Sequence, residues 1–259
     1  MSFNLRTWHL ALSVMVLFLA SCSKTNEQGK LVPKDAVMVL HINGKSLSAK
    51  LPWDEVKKNP LFEKAYSDST LPAFMKGILD NPENSGIDIK NDIIVFTVYD
   101  SSGAYVSIEG TVKDEAKFKQ FNIDASKGSA SEDNGISFVS HAPAIAGWSK
   151  GKFVYVVDAP QMNRKNFDFE DDNFSSLRKP SRDLMATCKS IFNLKSGNSL
   201  GEDSKFSSLM KNEGDVHFWM NVEEYYKHSS IDVAALSMFK LDKLYEGSVL
   251  AATTNFENG

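Results

Sequence analysis

Two stretches of the chain are apolar at nearly every position instead of at every second one. They are residues 37–43 and 216–221. A strand that is covered on both faces has no solvent-facing side, so runs of this kind are typical of central strands in a sheet. The pattern therefore predicts that both stretches lie inside a sheet and not at its edge.

Shorter apolar stretches separated by turn residues predict further strands. Residues 92–99 and 104–112 flank Ser101-Ser102-Gly103, which is a hairpin signal. A meander of three strands is predicted over residues 136–140, 144–148 and 153–158, with a turn at Ser149-Lys150-Gly151. Residues 126–135 between these groups are small and polar, and they are predicted to form a loop.

Apolar residues spaced three or four apart predict helices between the strands. The predicted helices cover residues 53–66 with a break near Pro60, 72–81, 116–121 with Asp114 as the N-cap, 181–194, 204–212 and 231–244. Helices that interrupt an antiparallel arrangement indicate the α+β class. We expect antiparallel sheets with helices packed on one face.

The order of elements is repeated along the chain. A strand ending at Asn43 leads into a helical region and later into the strand at 92–99; a strand ending at Asn221 leads into a helical region and later into a strand at 248–256. The repetition is weak in residue identity and clearer in the order of elements. It predicts two related modules, of which the second is incomplete.

The first residues of the chain have a different pattern. An apolar run at residues 10–20 follows Arg6 and ends in Leu19-Ala20-Ser21-Cys22. A bilayer-spanning helix needs roughly 20 apolar residues, so this run is too short for a permanent span and indicates a secretory signal peptide. The four residues at its end resemble the cleavage site of bacterial lipoproteins, in which the cysteine receives the lipid. The alternative is an ordinary signal peptide with a chance cysteine.

Lipidation at Cys22 would make this residue the new N-terminus and tie a folded domain to a membrane. One acyl chain gives only marginal binding, whereas several chains, palmitate among them, give a stable anchor. Ser23-Lys24 carries no acidic sorting residue after the cysteine. We therefore expect the cell envelope, with the outer membrane favoured over the inner one, and a domain that faces the periplasm or the cell surface.

Charge and cysteine content exclude some classes of protein. The chain carries 29 basic and 33 acidic residues, and loss of Arg6 with the signal peptide leaves a net charge of −5. This mildly acidic balance argues against a nucleic-acid partner, which would favour a basic face. If Cys22 is acylated, Cys188 has no partner, so a disulfide framework is excluded. Its helical spacing to apolar neighbours predicts a buried core position.

Several motifs together resemble one protein family. They are the Leu19–Cys22 tetrapeptide, the Val32-Pro33-Lys34-Asp35-Ala36 stretch, the Ser85-Gly86-Ile87-Asp88 step and the strand at 216–221. The chain is similar over nearly its whole length to an uncharacterised family of Bacteroidota lipoproteins, known only as a domain of unknown function. The resemblance implies an envelope location and α+β modules. Its motifs are structural and imply no activity, so no catalytic residue is carried over.

Residues with metal-binding or catalytic chemistry do not form a recognisable motif. The four histidines of the mature chain, at positions 41, 141, 217 and 228, share no metal-type spacing. The acidic residues between Phe167 and Phe174 lack the glycine and distal glutamate of an EF-hand loop, so a solvated loop is expected. No nucleophile-elbow, phosphate-loop or dinucleotide motif occurs. We expect no catalytic residue, no cofactor and no metal.

Exposed aromatic side chains are the expected mark of a glycan-binding surface. Trp219 lies in an apolar strand and is expected in the core. Trp148 follows Gly147 near a turn, and it is the weak candidate for an exposed ligand-stacking residue. The sequence thus favours a non-enzymatic binding or structural module of the envelope whose partner is an envelope protein or a glycan. The alternatives are a ligand-binding component for a glycan or nutrient and, third, a hydrolase without a recognisable motif.

The predicted organisation has five parts. They are a signal peptide at 1–21, a polar tether at 22–32, a first α+β module at 33–165, an acidic loop and connecting helix at 166–200, and a partial second module at 201–259. Asn258-Gly259 is a strong hairpin signal with no returning strand behind it. We therefore expect a C-terminally truncated form of a longer protein.

Overall fold

A computed structural model describes residues 27–67, 72–159, 181–228 and 242–257. The predicted signal peptide, Cys22 and the acidic residues between Phe167 and Phe174 lie outside the described residues. Most of the helix predicted at 231–244 and the Asn258-Gly259 turn lie outside them as well. Lipidation and the acidic loop therefore stay predictions.

One antiparallel sheet organises the described part of the chain. Its strands are β1 (Met38–Ile42), β2 (Ile93–Asp100), β3 (Gly103–Thr111), β4 (Ala130–Asp133), β5 (Ile136–His141), β6 (Ala144–Ser149), β7 (Lys152–Ala159), β8 (Val216–Asn221) and β9 (Val249–Thr254). The order across the sheet is β4-β5-β6-β7-β3-β2-β1-β8-β9. The predicted hairpin of β2 and β3 and the meander β5–β7 are confirmed.

Short helices connect the strands. They are α1 (Gly44–Lys50), α2 (Trp53–Val56), α3 (Pro60–Tyr66), α4 (Ala73–Asp80), α5 (Glu115–Ser126), α6 (Leu184–Phe192), α7 (Ser204–Met210), α8 (Val222–His228) and α9 (Asp242–Tyr245). Asp114 caps α5 as predicted, because its Oδ1 accepts a hydrogen bond from the Lys117 amide at 3.0 Å. A helix at 44–50 was not predicted from the sequence.

The α+β class with an antiparallel sheet is confirmed, but the helices lie on both faces of that sheet. Phe153 of β7 packs in a cluster with Phe118 of α5. The next residue, Val154, belongs to a larger cluster with Cys188 of α6 and Phe206 of α7. Successive strand residues point to opposite faces, so α5 covers one face and α6 with α7 covers the other. Cys188 is fully buried, as predicted.

The two apolar stretches form neighbouring strands in the middle of the sheet. β1 lies between β2 and β8, and β8 lies between β1 and β9, so the prediction of internal strands is confirmed. Their residues alternate between fully and partly buried, which shows one tightly covered face and one partly covered face. The single continuous sheet crosses the predicted boundary between the modules.

The repeated order of elements has a local counterpart around β1 and β8. An asparagine stands between each strand and the helix that follows: Asn43, just after β1, accepts from the Ser46 amide at 3.0 Å, and Asn221, the last residue of β8, accepts from the Glu224 amide at 3.1 Å. Leu40 of β1 pairs with Phe218 of β8, so the two asparagines lie on opposite sides of this central pair. The repetition therefore concerns strand-helix units that share one sheet.

Two tight turns lie at the same end of the sheet. Asn134-Gly135 joins β4 to β5, and Lys150-Gly151 joins β6 to β7; all four residues have positive φ. This backbone suits two-residue hairpins, and Asn and Gly adopt it readily. The prediction that residues 126–135 form only a loop is wrong, because β4 and the first of these turns lie within it. A four-residue edge strand without apolar alternation gave too weak a pattern.

Candidate functional site

A cleft of about 570 Å³ opens at the end of the sheet that carries these turns. Its walls come from six segments: residues 27–31, 91–94, 109–111, 134–136, 149–152 and 192–193. They belong to the N-terminal segment, the start of β2, the end of β3, the two hairpin turns and the end of α6. The volume lies in the range of roughly 300–1,000 Å³ that proteins use for small ligands.

Glu109 is the unusual residue of this cleft. It lies on β3 between Ile94 of β2 and Val154 of β7, and only 7% of it is exposed. Its carboxyl group makes no hydrogen bond or ion pair with any residue that the structure describes. Burial raises its pKa from 4.5 to about 8, and the nearby positive charge of Lys152 lowers it only in part. The carboxyl is therefore neutral at pH 7 and able to donate or accept a hydrogen bond.

Asp92 is the second carboxyl of the cleft, and its surroundings are the opposite. Its Oδ2 accepts a hydrogen bond from Gln28 Nε2 at 2.8 Å and lies 3.3 Å from Nε2 of the buried His41. Burial acts to raise the pKa of Asp92, but the contacts with His41 and Gln28 outweigh it and hold the pKa below its usual value. Asp92 is therefore ionised, whereas Glu109 in the same cleft is neutral.

A buried pair of histidines supports Asp92 from behind. Nε2 of His217 lies 2.9 Å from the Asn212 carbonyl oxygen and so carries a proton, and its Nδ1 lies 3.0 Å from Nδ1 of His41. His41 Nδ1 is then the donor of that bond. Nε2 of His41 faces Asp92 Oδ2 at 3.3 Å, so the histidine pair connects β1 and β8 to this carboxylate.

Lysines surround the mouth of the cleft. Lys150 and Lys152 come from the β6–β7 turn and the start of β7, and Lys30 comes from the N-terminal segment; all three are exposed. Lys152 Nζ donates to Thr111 Oγ1 at 3.2 Å, and Lys30 lies 3.7 Å from Glu27. The lining of the cleft thus contains three carboxyl side chains, those of Glu27, Asp92 and Glu109, together with three lysines. Such convergent polar groups are typical of a binding site for a small polar molecule.

The sequence did not single out Glu109, because its strand looks half exposed. Tyr105, Ser107 and Glu109 alternate with Val106 and Ile108, and this pattern suggests that the polar side faces solvent. In the structure α6 and the N-terminal segment cover that side. The only signal for a site was indirect: a carboxylate in the middle of a strand next to Gly110, where a close approach of other groups is possible.

The structure corrects the weak ligand candidate among the tryptophans. Trp148 is not exposed: it is 3% accessible and packs edge-on against Phe118, and its Nε1 donates to Glu115 Oε1 at 2.9 Å. It belongs to the core beneath α5 and cannot stack on a glycan. The residue before it, Gly147, leaves room for Cys188, and this close packing holds the strand inside the protein. Trp219 is 2% exposed and lies in the core as predicted.

The histidines and acidic residues of the described ranges do not gather into a metal-type cluster of three or more ligands. His41 and His217 contact each other across β1 and β8 although their separation in sequence is 176 residues. Among the helices that the structure describes, none combines the length and the apolar character needed to cross a bilayer.

Comparison with solved structures finds distant similarity to TP0453. Its crystal forms IV and III are each 11% identical to the chain, with a TM-score of 0.41. The aligned part covers 75% of this chain and 64% of the form IV chain, and 83% of this chain and 68% of the form III chain. The chain therefore spans less than two thirds of the form IV chain.

Among curated proteins, no sequence matches the chain. A family model matches over nearly all of the folded part, from residue 29 to residue 259. The chain belongs to the family described as Domain of unknown function (DUF4836).

Proposed function

We propose that the protein is a lipid-anchored component of the cell envelope that binds a small polar ligand in the cleft around Glu109 and catalyses no reaction. The anchor is supported by the Leu19-Ala20-Ser21-Cys22 sequence, and the outer membrane is favoured by the residues after Cys22. The proposal includes a Bacteroidota origin, which is supported by the family resemblance of that tetrapeptide together with residues 32–36, 85–88 and 216–221. Together they describe a binding domain held at a membrane surface by its N-terminal residue.

The single observation that supports ligand binding is the unpartnered carboxyl of Glu109. Glu109 lines the cleft and has no partner among the residues that the structure describes, so its carboxyl takes hydrogen bonds only from what fills the cleft, either water or a ligand. Such a group is understandable where a ligand supplies the missing partner. Here the group lines a cleft of suitable size, beside a second carboxyl that a histidine pair holds in place.

The hydroxyl groups of the cleft favour binding over nucleophilic catalysis. Ser149 Oγ donates to the Gly135 carbonyl oxygen at 2.8 Å, and Thr111 Oγ1 accepts from Lys152. Both hydroxyls thus have structural partners, and the residues that line the cleft include no histidine to activate them. A glycan ligand is less favoured than the sequence suggested, since the candidate stacking residue Trp148 is buried.

Two measurements test this proposal. Cys22→Ala should abolish metabolic labelling with a radioactive fatty acid and release the protein into the soluble fraction. For the cleft, hydrogen exchange should be followed with pooled amino acids, dipeptides, saccharides and nucleosides, and at least one pool should protect the amides around 91–94 and 109–111. Persistent labelling of Cys22→Ala would contradict the anchor, and a cleft that no pool protects would contradict the binding function.

A further inference from the structure

The chemistry of the cleft also indicates which class of ligand it accepts. Glu109 and Asp92 both line the cleft with a carboxyl group. Asp92 Oδ2 is occupied by Gln28 and His41, but its Oδ1 accepts no hydrogen bond from any residue that the structure describes. Carboxyl oxygens without protein donors in the lining of a cleft suit a ligand group with several N–H donors and a positive charge.

A primary ammonium group is such a partner. It has three donors, and its charge would favour the ionised form of Glu109, which burial alone disfavours. Charge-assisted hydrogen bonds of this kind are roughly twice as strong as neutral ones. A neutral polyol would satisfy the same oxygens with hydroxyl donors but would give Lys150 and Lys152 no counter-charge.

The lysines of the mouth select the second end of the ligand. Lys150 is exposed on the β6–β7 turn, and Lys152 and Lys30 lie on the adjoining walls. Within the described residues Lys150 has no hydrogen-bond or ion-pair partner. A carboxylate placed among these side chains would be attracted electrostatically, while the ammonium group lies against Glu109.

We propose that the cleft binds a zwitterion with a primary ammonium group and a carboxylate, namely an amino acid or a short peptide, with its ammonium group on Glu109 and its carboxylate among Lys30, Lys150 and Lys152. This assignment rests on the binding function proposed above. It names the ligand class and the orientation of the ligand in the cleft.

The proposal has a consequence for pH. Glu109 must lose its proton to bind the ammonium group, so binding releases a proton below pH 8, where the free carboxyl is protonated. The charged groups that surround Glu109 are Asp92 before β2, Lys150 and Lys152 at the start of β7, and Lys30 and Glu27 in the N-terminal segment. Affinity should rise close to tenfold per pH unit between pH 6 and 7.5 and fall again when the ligand amine loses its charge.

The test uses the full chain purified from membranes and three probes: an equimolar mixture of dipeptides, the same mixture after N-acetylation, and the same mixture after C-terminal amidation. Isothermal titration in buffers of different ionisation enthalpy measures affinity and proton release. We expect the free dipeptides to bind with release of one proton and each blocked mixture to bind at least tenfold more weakly.

Matched variants assign the two ends of the ligand. Glu109→Gln should weaken binding at least tenfold and remove the pH dependence, whereas Glu132→Gln, on an exposed position of β4, should change neither. Lys150→Gln should weaken binding of free dipeptides but not of amidated ones, with Lys119→Gln on α5 as its control. Equal affinity of Glu109→Gln and Glu132→Gln would overturn the proposal.

Other outcomes separate the ligand class from the binding function itself. Protection of the cleft amides by a mixture of neutral saccharides, with no effect of dipeptides, would overturn the zwitterion proposal and leave the cleft as a binding site. Absence of protection with every probe would overturn both proposals.

Discussion

Replacing Glu109 by glutamine tests the energetics of the cleft without any ligand. The folded protein holds the pKa of this carboxyl at about 8, whereas its ordinary value is 4.5. A group with a raised acid pKa binds a proton more tightly in the folded state, so it lowers stability as the pH rises from 4.5 to 8. Below pH 4.5 and above pH 8 its contribution no longer changes with pH.

The size of the effect follows from the difference between the two pKa values. Each tenfold change in proton affinity corresponds to about 1.4 kcal/mol. Between pH 4.5 and 8 the wild-type protein therefore loses on the order of 5 kcal/mol relative to a variant with a neutral side chain, and about 3 kcal/mol of that loss occurs by pH 7. Glutamine has the same shape, stays neutral and can still form hydrogen bonds, so the fold should be retained.

Urea unfolding at pH 4, 5, 6, 7 and 8.5 measures this difference. Glu109→Gln should match the wild type at pH 4 and exceed its free energy of unfolding by an increasing amount up to pH 8.5. Glu132→Gln, which changes an exposed glutamate, should follow the wild-type curve throughout. If the curves of wild type and Glu109→Gln run parallel over the whole range, Glu109 is not held neutral by burial and our account of the cleft is wrong.

The core and the sheet give three further predictions. Gly147→Ala places a methyl group 2.6 Å from Cys188 Sγ and should lower the free energy of unfolding by about 1–3 kcal/mol. Adding Cys188→Ala should recover part of this loss. An unchanged free energy of unfolding for Gly147→Ala in urea titrations would contradict the close packing. Asp215→Asn should lower the melting temperature at pH 7, because hydrogen bonds from Lys50, Ser46 and the Phe256 amide hold the pKa of Asp215 at about 2. The ionised group stabilises the fold above pH 3.8, and this stability is lost as the pH falls towards 2. Equal loss of stability in acid for the variant and the wild type would refute this prediction. Val39→Asp, at a fully covered position of β1, should lower the free energy of unfolding by about 4 kcal/mol or more. Leu40→Asp, on the partly covered face, should lower it clearly less. Circular-dichroism melts that rank the two variants in the opposite order would show that the two faces are reversed.

The strands were predictable from sequence because their signals are local. Uninterrupted apolar runs marked β1 and β8 as internal, and the turn at Ser101-Ser102-Gly103 marked the β2–β3 hairpin. The burial of Cys188 followed from its spacing to apolar neighbours on a helix. These features depend on residues close together in the chain, which is where periodicity is informative.

The cleft was not predictable, because it depends on contacts between distant residues. Gln28 reaches Asp92, in the cleft that Glu109 lines, only when the N-terminal segment lies across the ends of β2 and β3. The pairing of His41 with His217 needs two strands from opposite ends of the chain to be neighbours. The turn after Trp148 suggests an exposed position, but α5 covers the strand before that turn.

The place of β1 between β2 and β8 determines how the domain can fold. β2 follows β1 within about 50 residues, but His217 of β8 lies 176 residues after its partner His41. During synthesis, β1 therefore has a neighbour on one side only until nearly the whole domain has emerged. For that time its open edge carries unpaired backbone groups and apolar side chains such as Leu40, which favours pairing with other chains. The strand that covers the open edge of β1 is thus one of the last two to be made, so partly synthesised chains should depend on chaperones until residues 216–221 become available.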